Sequence, residues 1–279
     1  MDREEKLIAA KRALNEAEAV LVGAGAGLST AAGFTYDGER FDTLFADFKE
    51  ARGMRDMYTA GFYPFETPEE RWAFWSRMIM CNRYTMPPKN TYGKLLKLVE
   101  GKDYFVLTTN VDHQFQLAGF DKKRLFYTQG DYGLLQCSVP CHEKTYDNED
   151  MVRAMVVQQR NMRVPSELVP YCPVCGKPMS MNLRADDTFV EDEGWFAANK
   201  RYRDFLEAHL DERIVYLEIG VGGNTPGIIK YPFWRYANYN EDATYICLNY
   251  GQAFAPEQIA ERSICIDEDV DTVLDDLLR

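Results

Sequence analysis

Seven cysteines occur in this chain, and four of them are spaced as metal ligands are. Cys137-x-x-x-Cys141 and Cys172-x-x-Cys175 form two close pairs set well apart, and the second lies in Cys172-Pro173-Val174-Cys175-Gly176-Lys177, a turn of zinc-knuckle type. Thiolates from two such turns complete a tetrahedron around zinc. Four ligands leave no open position, so the expected site is structural and closed, with His142 beside Cys141 a bystander. Four buried or redox-active thiols would account less well for two pairs at this separation. Zinc at Cys137, Cys141, Cys172 and Cys175 would hold a segment too poor in core residues to fold alone.

A second chemical signal is the turn Val22-Gly23-Ala24-Gly25-Ala26-Gly27-Leu28-Ser29, which follows an apolar run and opens into Thr30-Ala31-Ala32-Gly33. Glycines let a backbone approach a phosphate, and a helix N-terminus supplies unpaired N–H donors. The G-x-G-x-x-G spacing fails, however. Counted from Gly23 the third glycine position is Leu28, and counted from Gly25 it is Thr30, so this is not a hydride-transfer fingerprint. Taken alone the turn could be a tight strand-to-helix connection. Two polar clusters accompany it, Thr108-Thr109-Asn110-Val111-Asp112 and Thr128-Gln129-Gly130-Asp131, each directly after an apolar run. Polar groups at the carboxyl ends of parallel strands line the ligand crevice of open α/β sheets, although Asn, Asp and Gly also simply end strands.

The elements that must hold these residues are legible as apolar runs. Ala19 to Val22, Tyr104 to Leu107, Arg124 to Tyr127, Ile214 to Ile219, Tyr245 to Leu248 and Ile264 to Ile266 read as buried strands alternating with helices. Leu7, Ile8 and Leu14 set a helical period before the first strand, and Val270, Val273, Leu274, Leu277 and Leu278 set one at the end. Thr67-Pro68-Glu69-Glu70 is a helix start, with Thr as cap, Pro in the first turn and Glu able to bond back to the cap, before Trp72, Trp75 and Met78. The expected fold is α/β: a Rossmann-like parallel sheet with helices on both faces, plus a small domain made of a helical insertion and a four-cysteine zinc-ribbon module. Residues 1–37, 104–130 and 187–279 would form the dinucleotide-binding domain, 38–103 the helical insertion, and 131–186, which shows little strand periodicity, the zinc module.

Composition excludes several functions. Hydrophobic residues at 46% and charged residues at 27% are those of an ordinary globular protein. A formal net charge of −12 repels phosphate backbones and anionic membrane surfaces, so neither nucleic acid nor membrane is an expected partner. No apolar run approaches a membrane span, and Asp2-Arg3-Glu4-Glu5 is not the start of a signal peptide; a cytoplasmic location is expected.

Taken in order, Gly25-Ala26-Gly27-Leu28-Ser29 with Gly33, Thr109-Asn110-x-Asp112, the two cysteine pairs, Gly220-Val221-Gly222 and Asn249 resemble the sirtuin family across nearly the whole chain. The resemblance implies NAD as a consumed co-substrate and zinc as a structural ion. It places Ala26, Gly27 and Thr30 on the diphosphate side, and Thr109, Asn110, Val111 and Asp112 at the nicotinamide pocket. Asn110 would orient the ribose hydroxyls or the attacking group, and Asp112 would hold the carboxamide. Val221, Gly222, Asn249 and Val270 would frame the adenosine.

Three departures redirect the expected chemistry. Deacylating sirtuins carry His-Gly where this chain has Gln129-Gly130, and an amide does not titrate near neutrality, so Gln129 cannot act as the general base. The family's Pro-Asp-Phe-Arg-Gly is replaced by Thr35-Tyr36-Asp37-Gly38, leaving Tyr36 and Asp37 as cofactor contacts in its place. The acyl-peptide groove pattern Phe-Gly-Glu becomes Phe189-Val190-Glu191. With Gly222-Gly223-Asn224-Thr225-Pro226-Gly227 and Tyr231-Pro232-Phe233-Trp234, these changes resemble the macrodomain-linked microbial sirtuins, which are protein ADP-ribosyltransferases. That implies Asn110, Gln129 and Asp112 as catalytic residues, a lipoylated H-like carrier protein as acceptor, and a macrodomain hydrolase as functional partner. The alternatives are an NAD-dependent deacylase with Gln in place of His, an NAD hydrolase, and a nucleotide sensor without turnover.

Overall fold

The computed structural model describes residues 1–223 and 226–279; Asn224 and Thr225, within the stretch from Gly222 to Gly227, lie outside the described residues. A strand covered on both faces is apolar at nearly every position; all six apolar runs form strands, the last of them, at the sheet edge, buried only at alternate positions. The chain begins with α1 (Arg3–Glu16), β1 (Ala19–Ala24) and α2 (Ala26–Ala31). Next come α3 (Gly38–Leu44), α4 (Ala46–Arg52), α5 (Met57–Gly61), α6 (Pro68–Arg83), α7 (Thr91–Val99) and β2 (Asp103–Thr108). The short helix α8 (Gln114–Leu117) leads to β3 (Leu125–Tyr127), β4 (Gly130–Cys137), β5 (Tyr146–Asp147), α9 (Glu149–Gln158) and β6 (Met179–Leu183). The chain ends with α10 (Glu193–His209), β7 (Ile214–Ile219), α11 (Lys230–Tyr239), β8 (Thr244–Leu248), β9 (Ser263–Ile266) and α12 (Val270–Leu278).

Six strands form one parallel sheet in the order β3-β2-β1-β7-β8-β9. From β1 the chain first builds outward through β2 and β3, then returns to place β7 on the other side of β1. The order therefore reverses between β1 and β7, and the crevice outside their carboxyl ends is the ligand position of this architecture. One face of the sheet is covered by apolar residues of α1, α7 and α12, including Leu14, Leu95 and Leu274, and the other by α10 and α11, including Ala198 and Phe233. Within the α1 period Leu7 and Leu14 face the core, whereas Ile8 is exposed. On the second face a buried Lys230 pairs with the buried Glu218 of β7, whose other oxygen accepts the Tyr245 hydroxyl at 2.6 Å.

The smaller lobe has its own aromatic core, in which Phe41, Phe48, Trp72, Phe74 and Trp75 from α3, α4 and α6 pack together with Phe45 from the α3–α4 junction. Residues 131–186, expected to show little strand, contribute an antiparallel sheet in the order β5-β4-β6. Gly-Asp-Tyr-Gly-Leu-Leu-Gln-Cys in β4 is buried at all but one position, so the alternation that reveals a half-exposed strand is missing. The insertion over 38–103 divides by packing: α3 to α6 supply the aromatic core, whereas Tyr92, Leu95, Leu98 and Val99 of α7 join the core of the parallel sheet. At the start of α6, the Thr67 hydroxyl accepts the Glu70 N–H at 3.3 Å as expected. Glu70, however, does not bond back to the cap; its carboxylate takes Arg52 at 2.7 Å, because a buried acid gains more from a cation than from one amide. Among the described residues no helix is long and apolar enough to cross a membrane.

Candidate active site

At the end of β2 the Thr108 hydroxyl donates to the Ala24 carbonyl at 2.9 Å and accepts the Asn110 N–H at 3.0 Å. That turn aims Asn110 at the glycine-rich segment, where its amide donates to the Gly25 carbonyl at 3.0 Å and lies 3.2 Å from Ser29 Oγ and 3.3 Å from the Tyr92 hydroxyl. Asp112 closes the same cluster, accepting Ser29 Oγ at 2.5 Å and the Gln114 N–H at 3.2 Å. Burial pushes the Asp112 carboxyl above its ordinary range, with Asp131 adding to the effect, against the hydrogen bonds from Ser29 and Gln114. Tyr92 is driven well above the usual phenol range by burial and by Asp112, so it stays a neutral donor. Thr109, whose N–H donates to the Ala24 carbonyl at 3.1 Å, and Val111 flank the pair half-buried.

Gln129 stands half-buried, its amide donating to the Thr128 hydroxyl at 3.3 Å. It lines a cleft of about 490 Å³ on the small lobe, walled by Trp75, Met78, Val111, Tyr132 and Met181. Arg184 reaches the same cleft with its guanidinium 4.5 Å over the Phe189 ring and paired with Glu191. Behind Gln129, the buried Asp131 accepts Arg83 Nε at 2.8 Å and the Gly133 N–H at 2.7 Å and contacts His113 Nδ1. Burial pushes its carboxyl up, but His113, Arg83 and the Gly133 amide together hold it below the ordinary range.

The turns after β1 and β7, at the point where the strand order reverses, interlock. Gly27 donates its N–H to the Gly220 carbonyl at 2.9 Å, and a Cβ on Gly220, at φ +59°, would lie 2.4 Å from the Leu28 nitrogen. Asn249 donates to the Val221 carbonyl at 2.9 Å, and Gln252 accepts the Gly223 N–H at 3.0 Å, tying the turns after β7 and β8 together. Ala26 and Thr30 lie exposed on α2, Gly222 is exposed, and Val221 is buried. Val270, the first residue of α12, is buried in the core of the parallel sheet. Tyr36 hydrogen-bonds the Tyr132 hydroxyl at 2.9 Å, and burial pushes its phenol up to about 12, whereas Asp37 is exposed ahead of α3.

Away from the crevice, the Sγ atoms of Cys137, Cys141, Cys172 and Cys175 all lie within 4.8 Å of one another, with Cys137 to Cys175 at 3.5 Å and Cys141 to Cys172 at 3.7 Å. A zinc tetrahedron with Zn–S arms of about 2.3 Å has edges of about 3.8 Å, so the four thiolates fit zinc with small adjustments. His142 lies 3.0 Å from Cys141 Sγ and also meets the Tyr146 hydroxyl at 2.8 Å.

Solved sirtuin structures share this architecture. One from a study of sirtuin substrate affinity aligns with a TM-score of 0.59 at 19% identity, covering all of this chain and 98% of that one. Another, of Sir2Tm bound to a propionylated peptide, aligns at 0.60 with 18% identity and the same coverage. No family model matches the chain. A protein ADP-ribosyltransferase of Staphylococcus aureus (strain Mu50 / ATCC 700699) is 44% identical over 270 residues, covering 96% of this chain and 86% of the relative. The chain belongs to the family of sirtuin-type protein ADP-ribosyltransferases. A Fusarium oxysporum f. sp. cubense relative, named a probable bifunctional ADP-ribose hydrolase/ADP-ribosyltransferase, is 32% identical over 236 residues, covering 80% of this chain and 38% of its own length.

In this sirtuin-type transferase the motif residues Asn110, Asp112 and Ser29 converge, together with Tyr92, for which the sequence carried no signal beyond an aromatic in a helical stretch. The fold also brings His113, next to one polar cluster, directly against Asp131 of the other, and adds Arg83 from the far end of α6 to the same carboxylate. An acid beside a glycine and a histidine beside an acid were visible in sequence, but their partnership was not.

Proposed function

We propose that this transferase moves the ADP-ribosyl group of NAD to a protein acceptor, with a lipoylated H-like carrier as that acceptor, and releases nicotinamide. The observation that carries the reading is the pairing of a buried Asn110–Asp112 cluster under the glycine-rich turn with a non-titrating Gln129 at the mouth of a cleft large enough for a side chain of the acceptor. Ala26, Gly27 and Thr30 would face the diphosphate, with Tyr36 and Asp37 on the approach, while Val221, Gly222, Asn249 and Val270 frame the adenosine. Thr109 and Val111 would line the nicotinamide end, and Asp112 would hold the carboxamide. The glycosidic bond breaks with its electron pair leaving on the nicotinamide nitrogen, and the acceptor forms the new bond to the anomeric carbon. Asn110 and Gln129 orient ribose and acceptor, so catalysis is mainly positioning and water exclusion. Cys137, Cys141, Cys172 and Cys175 would hold a zinc ion whose contribution is to fix the small lobe.

The name of the fungal relative joins a hydrolase and a transferase in one chain, of which this chain matches 38%. It supports an ADP-ribose hydrolase as functional partner, and the resemblance to the macrodomain-linked sirtuins makes that partner a macrodomain protein. Incubation with labelled NAD and lipoylated carrier tests the reading: label on the carrier is expected with wild type and absent with Gln129→Ala and Asn110→Ala. Transfer retained by both variants would remove these assignments. Free ADP-ribose without labelled protein would make the enzyme a hydrolase, and O-acyl-ADP-ribose from an acylated peptide would make it a deacylase.

A further inference from the structure

His113 occupies a backbone conformation that side chains rarely adopt, with φ 62° and ψ 12°. Histidine adopts this conformation more readily than most side chains, but it is uncommon even so, and residues in sparsely populated regions cluster at functional sites where their surroundings hold them. The holder is Asp131, whose carboxylate is 3% exposed as a residue and is shared among three donors: His113, Arg83 Nε at 2.8 Å and the Gly133 N–H at 2.7 Å. A Cβ at Gly133 would press on these same side chains, lying 2.9 Å from Arg83 Nε and 3.0 Å from Asp131 Oδ1.

The chain positions of these three residues give the arrangement its meaning. His113 directly follows Asp112, Asp131 lies two residues after Gln129, and Arg83 is the last residue of α6, the helix that walls the cleft with Trp75 and Met78. Two further bonds run in parallel, from the Gln114 amide to the Asn82 carbonyl at 2.9 Å and from the Tyr132 N–H to the Val111 carbonyl at 2.8 Å. One carboxylate thus ties the loop of Asn110 and Asp112, the turn of Gln129 and the cleft helix. We propose that His113 is a positioning residue for ADP-ribosyl transfer, acting through Asp131 and Arg83 to register Asn110 and Asp112 against Gln129 and the cleft. The inference rests on the transferase reading above.

His113→Gly tests it, because glycine takes the same backbone conformation without strain and so keeps the fold. Loss of registration at the reacting groups is worth about a hundredfold in rate. The expected result is a kcat for labelling of the carrier lower by about that factor, a KM for NAD within a few-fold of wild type, an unchanged or higher Tm, and partial recovery of kcat with added imidazole. His113→Asn, which tolerates the conformation and retains a donor, should fall between the two. A kcat in His113→Gly near that of wild type, or a loss that follows a lowered Tm and ignores imidazole, overturns the proposal. A wild-type enzyme that labels no acceptor overturns the transferase reading instead and the positioning role with it.

Discussion

Asp112 is the residue at which stability and chemistry oppose each other. Its carboxylate is 5% exposed and receives Ser29 and Gln114, yet burial outweighs those bonds and its pKa is raised. For an acid with a raised folded pKa, the stability it lends is present below the unfolded value and is lost as pH rises through the folded value. The ionised form is therefore the one that the fold holds less well. Asp112→Asn removes the charge while keeping an oxygen that can accept one of the two donors. Its Tm should exceed that of wild type at pH 8, by an amount corresponding to about 1 kcal/mol, the scale of gains at sites shaped for function. The difference should close as pH falls toward 4. Transfer should drop about a hundredfold, as when a preorganised polar contact to the reacting group is lost. Thermal melts of both proteins from pH 4 to 8 decide the matter, and a variant no more stable than wild type at pH 8 would show that the hydrogen bonds already offset the buried charge.

The elements matter through the way two turns lock at the β1–β7 junction. Gly220 directly follows β7 at φ +59° with its Cα against Gly27, so that a Cβ would sit 2.4 Å from the Leu28 nitrogen. Gly220→Ala would add the left-handed penalty of about 1–2 kcal/mol to a clash with backbone that cannot swing away. We expect a loss of at least about 2 kcal/mol in urea denaturation and weaker NAD binding by calorimetry, since the displaced turn carries Val221 and Gly222. Unchanged binding would mean that the turn does not shape the nucleotide site. This junction also explains what could be read in advance. The parallel strands were visible because most are mainly apolar runs with both faces covered. The strand Gly130–Cys137 was not, because glycines interrupt it and two-sided burial removes its alternation. Asn110 and Asp112 could be placed at a strand end from local order alone, whereas Tyr92 and Arg83 reach the site from helices that no local pattern directs there. Glu70 shows the same limit, because its choice of Arg52 over the Thr67 cap depends on a partner from α4.

At the scale of the whole molecule, the core of the parallel sheet and the core of the small lobe do not have the same supports. The parallel sheet is covered by helices on both faces, whereas the small lobe combines an aromatic cluster with a sheet of three short strands, and Cys137 and Cys172 are themselves part of that core. A structural zinc would bind only the folded arrangement of the four thiolates, so its binding free energy adds to the stability of that lobe. β4 runs from Gly130, next to Gln129, to Cys137, which connects the metal end of the lobe directly to the proposed reacting end. Purified enzyme should contain about one zinc per chain by elemental analysis. Removal with a chelator should divide a single thermal transition into two, the earlier one accompanied by exposure of the tryptophans Trp72 and Trp75, and transfer should be lost with that first step. Readdition of zinc should restore both. Enzyme that holds no zinc, or that melts and transfers unchanged after chelation, would leave the aromatic cluster as the sole support of the lobe and the four cysteines without a structural role.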